Sequence, residues 1–149
     1  MRLRTAATVA AALIALGSCT GDAGTVEVRD AWARDTAPSQ TSAALYFTVA
    51  NPGESAFRIT TVKVPARIAR TTTLHRSMQT GTGEHDMATM RPVESVRVAA
   101  HSDVTFAPGG LHVMMEELRR PLHSGDHFTM TRERTSGTPL RAEVTVRTS

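Results

Sequence analysis

From Val26 to Val146 the chain is a succession of short runs in which apolar positions alternate with polar ones or β-branched residues cluster. These runs cover 26–32, 43–49, 57–64, 70–74, 93–98, 104–106, 111–115, 128–132 and 140–146. A period of two over four to eight residues describes a half-buried strand. Turn formers fall between the runs: Asn51-Pro52-Gly53, Pro108-Gly109-Gly110, Ser124-Gly125-Asp126 and Ser136-Gly137-Thr138-Pro139. No long 3.6-residue periodicity interrupts them, and no internal repeat or second domain is visible. The pattern predicts an all-β domain of about nine short strands, a Greek-key β-sandwich or barrel.

The first residues follow a different pattern. Arg2 and Arg4 precede an apolar run from Ala6 to Leu16, which ends in Leu16-Gly17-Ser18-Cys19. The run is shorter than the roughly 20 residues a helix needs to cross a bilayer, so it reads as an export signal. A leucine, two small residues and then a cysteine resemble a bacterial lipobox, with Cys19 as the lipidated first residue of the mature protein. Residues 1–18 are thus expected to be a signal peptide, 19–25 a lipidated cysteine and polar tether, and 26–149 the folded domain. The expected location is the outer face of the bacterial cell membrane, reached through the lipid.

Composition narrows the function. Cys19 is the only cysteine, so no internal disulfide can form. The formal charge of +3 falls to +1 without Arg2 and Arg4, and the remaining charges are scattered. A nucleic-acid partner would require a basic stripe. No nucleophile elbow or paired-acid arrangement is present, so the chain does not read as an enzyme. The domain is expected to be a monomer.

The candidate chemistry lies in soft donors. Met90 is followed by twenty-one residues and then His112-Val113-Met114, with His75 as a fourth candidate donor. Thioethers discriminate against calcium and magnesium, and joined with imidazoles in the absence of a thiol they point to Cu(I). In a strand His112 and Met114 share one face while Val113 and Met115 share the other. Taken alone, Met114 and Met115 would both read as core, Met90 as a strand residue and His75 as a surface residue. Pro92 lacks an amide hydrogen and fits only an edge or a strand end, which places Met90 near a sheet terminus. His101, His123 and His127 read as surface residues, Met130 as core, and Trp32 and Tyr46 as interior filling.

Several stretches together resemble the PCuAC family of periplasmic copper chaperones: Asp30-Ala31-Trp32-Ala33-Arg34, Ala43-Ala44-Leu45-Tyr46-Phe47 through Asn51-Pro52-Gly53, Leu74-His75, Met90-Arg91-Pro92-Val93, and Pro108-Gly109-Gly110-Leu111-His112-Val113-Met114. The resemblance implies a cupredoxin-like β-sandwich that binds one Cu(I) through His75, Met90, His112 and Met114. It also implies an envelope acceptor, the CuA subunit of cytochrome c oxidase. Fourteen residues separate His75 from Met90, more than the family usually has. The insertion, 78–89, reads as a flexible Gly/Thr/Asp loop carrying Met78, His85 and Met87, either as auxiliary soft donors or as incidental residues. Two other functions compete with delivery. One is copper sequestration without a dedicated acceptor. The other is electron transfer, which is disfavoured because a blue-copper centre requires a cysteine thiolate.

Overall fold

The computed structural model describes residues 24–80, 87–135 and 138–148. Among them are ten strands: β1 Glu27–Arg34, β2 Ser42–Asn51, β3 Phe57–Lys63, β4 Ala69–Thr80, β5 Met87–Pro92, β6 Val96–Val98, β7 Ser102–Phe106, β8 Leu111–Leu118, β9 His127–Arg134 and β10 Leu140–Arg147. Each of the nine predicted runs overlaps a strand. The tenth, β5, begins in the stretch read as an inserted loop and ends beyond it. β4 continues to Thr80 and β5 begins at Met87, and the two pair antiparallel from His75↔Pro92 to Thr80↔Met87.

The ladder runs β5-β4-β8-β2-β1-β10-β9-β3-β6, with β7 also on β2. Its ends, β5 and β6, do not pair with each other, so the sheet folds over into an open sandwich and the barrel expectation is corrected. A barrel would need those edges joined. Most neighbours in the ladder are distant in sequence, as Greek-key crossings require rather than an up-and-down meander.

Two features fold the sheet. β2 divides its length, pairing with β8 through Ser42 to Leu45 and with β7 through Phe47 to Asn51. β1 shifts register between Arg29 and Trp32, where Asp30 takes a left-handed φ of 51°. A bulge of this kind bends a strand and increases its twist.

The core follows from the alternation. Leu45, Phe47 and Val49 of β2 meet Ile59 and Val62 of β3, Val113 and Met115 of β8, and Val144 and Val146 of β10. Phe47 stacks on Phe106 at a ring distance of 4.4 Å. Met130 is fully buried, as the sequence predicts. Trp32 is not interior. It is half-buried on the outer face, because its neighbours Ala31 and Ala33 take the core positions of β1. The described core runs from Ala31 to Val146.

The turns are built from the residues that signalled them. Asn51, almost fully buried, donates its amide to the carbonyls of Ser55 and Ala99 and accepts from the Gly53 N–H. Its polar atoms are thereby satisfied inside the turn, as burial demands. His101, His123 and His127 are exposed. No described helix is long and apolar enough to cross a membrane.

Candidate metal centre

The site starts at a turn. Gly109 adopts φ +77°, a conformation glycine enters freely, and the tight turn sends the chain into β8 with the Gly110 carbonyl free to accept. That oxygen takes the N–H of Ser77, joining the turn to β4. His112 follows two residues later, directly opposite His75 on β4, and Met114 lies opposite Thr73 and Ala44. Opposed residues of an antiparallel pair share a face. His75, His112 and Met114 therefore stand together on the outer face, while Val113 and Met115 point into the core with no exposure. The adjacent methionines have divided as the period of two requires: Met115 is core and Met114 is half-buried beside the histidines.

The two rings lie 5.7 Å apart, centroid to centroid, with planes inclined at 31°. An ion about 2 Å from a ring nitrogen sits roughly 3 Å from that ring's centroid, so this spacing suits two rings sharing one ion. His112 is 3% exposed and His75 half-buried. His112 Nδ1 lies 3.1 Å from the Gly110 carbonyl oxygen, and His75 Nε2 lies 2.9 Å from the Thr73 hydroxyl. The remaining nitrogens, His75 Nδ1 and His112 Nε2, are buried and have no hydrogen-bond partner among the described residues. Such atoms are rare in folded proteins and call for an explanation.

Met90 sits on β5 opposite Ser77, on the same face as His75 and one rung further along. It is 53% exposed, an unusual position for a large apolar side chain. Pro92 closes β5 opposite His75, at the sheet edge where a proline is tolerated. Thus the four predicted donors occupy one face of the β5-β4-β8 edge, with the histidines at the centre and Met90 and Met114 on either side.

The auxiliary candidates are not brought to this cluster. Met78, 43% exposed, pairs with Thr89 and so lies on the opposite face of the hairpin from Ser77 and Met90. Met87 pairs with Thr80, further along the hairpin. His85, Cys19 and the leader lie outside the described residues. Among the described residues no three His, Cys, Asp or Glu side chains gather into a metal-holding group. The cluster is accordingly one of imidazoles and thioethers.

Thr73, Gly110 and Tyr46 are the partners that sequence reasoning missed. The first two each precede their histidine by two positions, Thr73 on β4 and Gly110 in the turn before β8. Tyr46, buried, follows Leu45, which pairs with Val113, so it borders His112 on the outer face. Trp32 covers it at a ring distance of 4.6 Å. Burial raises the Tyr46 phenol above its usual range, with the nearby Arg34 opposing. An apolar wall thus lines one side of the histidine pair.

An open all-β sandwich with an imidazole and thioether cluster at its sheet edge defines the class. The model of the LpqE-like lipoprotein family matches residues 26–146, so the chain belongs to that family. It is an exported, lipid-anchored protein of the cell envelope. Solved structures share the fold. The copper-bound PCuAC domain from PmoF2 is 21% identical with a TM-score of 0.67, over 85% of this chain and 96% of that one. The solution structure of CuI-DR1885 from Deinococcus radiodurans is 27% identical with a TM-score of 0.66, over 88% and 84%. The apo PCuAC domain from PmoF1 is 20% identical with a TM-score of 0.66, over 86% and 98%. No curated protein matches the sequence.

Proposed function

We propose that this lipoprotein is a non-catalytic carrier of Cu(I), held by His75, Met90, His112 and Met114 and handed to a copper acceptor in the envelope. The observation that carries the reading is the pair of buried, unpartnered ring nitrogens on a face flanked by two methionines. Protonated imidazoles would not ligate, and a hard cation would prefer oxygen, whereas neutral imidazole with thioether suits Cu(I). The likeness to a copper-bound PCuAC domain and to the CuI form of DR1885 supports the same cargo.

All four donors are neutral, so the ion keeps its charge and passes downhill to a site that contains thiolate, a softer and anionic ligand. The CuA centre of cytochrome c oxidase is such an acceptor. Exposed Met90 is the donor most able to release first, because it stands on the edge strand beside solvent. In this reading residues 1–18 direct export, Cys19 carries the lipid, residues 19–25 form the tether and 26–149 act as a monomeric copper domain.

The test is anaerobic Cu(I) titration of the chain from Thr20 onward, for which one tight equivalent is expected. Cells lacking the protein under copper limitation should then fail to assemble the oxidase. Normal assembly there would reassign the protein to copper sequestration.

A further inference from the structure

We propose that Thr73 is a positioning residue for this site, and that the two imidazoles present different nitrogens to the ion, His75 through Nδ1 and His112 through Nε2. The inference rests on the copper reading and deepens it. At His112 the Gly110 carbonyl can only accept, so the ring proton is on Nδ1 and the lone pair is on Nε2. At His75 the Thr73 hydroxyl faces Nε2 and can either donate or accept. If it donated, the ring proton would sit on Nδ1, a buried N–H without an acceptor among the described residues and with no lone pair to offer an ion. When it accepts from Nε2–H, Nδ1 keeps the lone pair a metal requires.

Each ring is therefore held by the residue two positions before it, Thr73 on β4 and Gly110 in the turn that enters β8. Such outer partners fix tautomer and ring orientation and raise ligand basicity. The two holders differ in kind: Gly110 acts through its backbone, which no side-chain change removes, whereas Thr73 acts through a hydroxyl that one substitution deletes. Nδ1 is also the nitrogen nearer the main chain.

The experiment uses the chain from Thr20 onward with 15N-labelled histidine, in long-range proton–nitrogen spectra at about pH 8, where free imidazole is neutral. The apo chain should show a proton on Nε2 of His75 and on Nδ1 of His112. Added Cu(I) should shift Nδ1 of His75 and Nε2 of His112. Thr73→Val should leave His75 averaging between tautomers in the apo chain and weaken Cu(I) binding 10- to 100-fold, with amide spectra of the core unchanged. Thr73→Ser should restore both. A His75 proton on Nδ1 in the apo wild type, a copper shift at His75 Nε2, or a Thr73→Val chain with unaltered tautomer and affinity would overturn the proposal. A wild type that ignores Cu(I) overturns the copper reading instead, and the apo tautomers decide the role of Thr73 independently.

Discussion

Met114 and Met115 are chemically identical neighbours with opposite surroundings, and their substitution should separate site from core. Met115 is fully buried between β2 and β4, where truncation to alanine costs about 2–5 kcal/mol. Met115→Ala should lower the free energy of unfolding by that amount, read as a fall in the denaturant midpoint at unchanged slope. Met114→Ala should shift the midpoint far less and weaken Cu(I) binding strongly, and equal stability losses would place both thioethers in the core. His75→Ala and His112→Ala belong with Met114→Ala, while His85→Ala should leave affinity nearly intact. If His85→Ala abolished binding and His75→Ala did not, His85 would be the first imidazole. The division between these methionines was legible in the sequence because parity along a strand is rigid. The holding of His75 by Thr73 was not read out, since a hydroxyl two positions away on a strand leaves no mark in hydrophobic patterning.

At the scale of elements, legibility tracked contact with the core. β2, β8 and β10 each send a row of side chains toward the core over much of their length, so their apolar pattern marks them plainly. The outer part of the β4–β5 hairpin projects past the core. Arg76, Met78, Thr89, Met90 and Arg91 are all exposed, and no apolar row remains to signal a strand. Backbone pairing holds the hairpin together instead, and it carries Met90. Trp32 was misplaced for a related reason. An aromatic residue suggested interior, yet Tyr46 offers it an apolar surface on the outside of the sheet.

The turn into β9 allows an element-scale test. The Asp126 carboxylate accepts the His123 N–H at 3.0 Å and pairs with Arg120, while its backbone carbonyl takes the N–H of Val146. The His123 hydrogen bond, followed by Arg120, holds the carboxyl below the usual carboxylate range. A folded-state value below the unfolded one, about 3.9, stabilises the fold above that pH, and the contribution disappears as pH falls through the folded-state value. Thermal midpoints of Asp126→Asn should lie below the wild type at neutral pH. The gap should close as the pH drops below 4, so a gap that is constant with pH would deny the carboxylate this role.

For the whole molecule, the decisive distribution is that of sulfur. The domain has thioethers and no thiol, because the only cysteine is Cys19, ahead of the fold. The chain from Thr20 onward should therefore lack the intense blue thiolate band in any Cu(II) form, and observing it in monomeric protein would contradict the proposed donor set. Cys19 has a separate task in this reading. Membership in a lipoprotein family explains how a fold without a membrane-crossing helix among its described residues stays at the envelope. One lipid chain gives only marginal membrane binding, so stable anchoring takes at least two. Cys19→Ala should then yield an unprocessed or released product that leaves the membrane fraction, with Cu(I) affinity unchanged because all four proposed donors lie on strands well after Cys19. Unaltered fractionation and apparent mass would remove Cys19 as the attachment point.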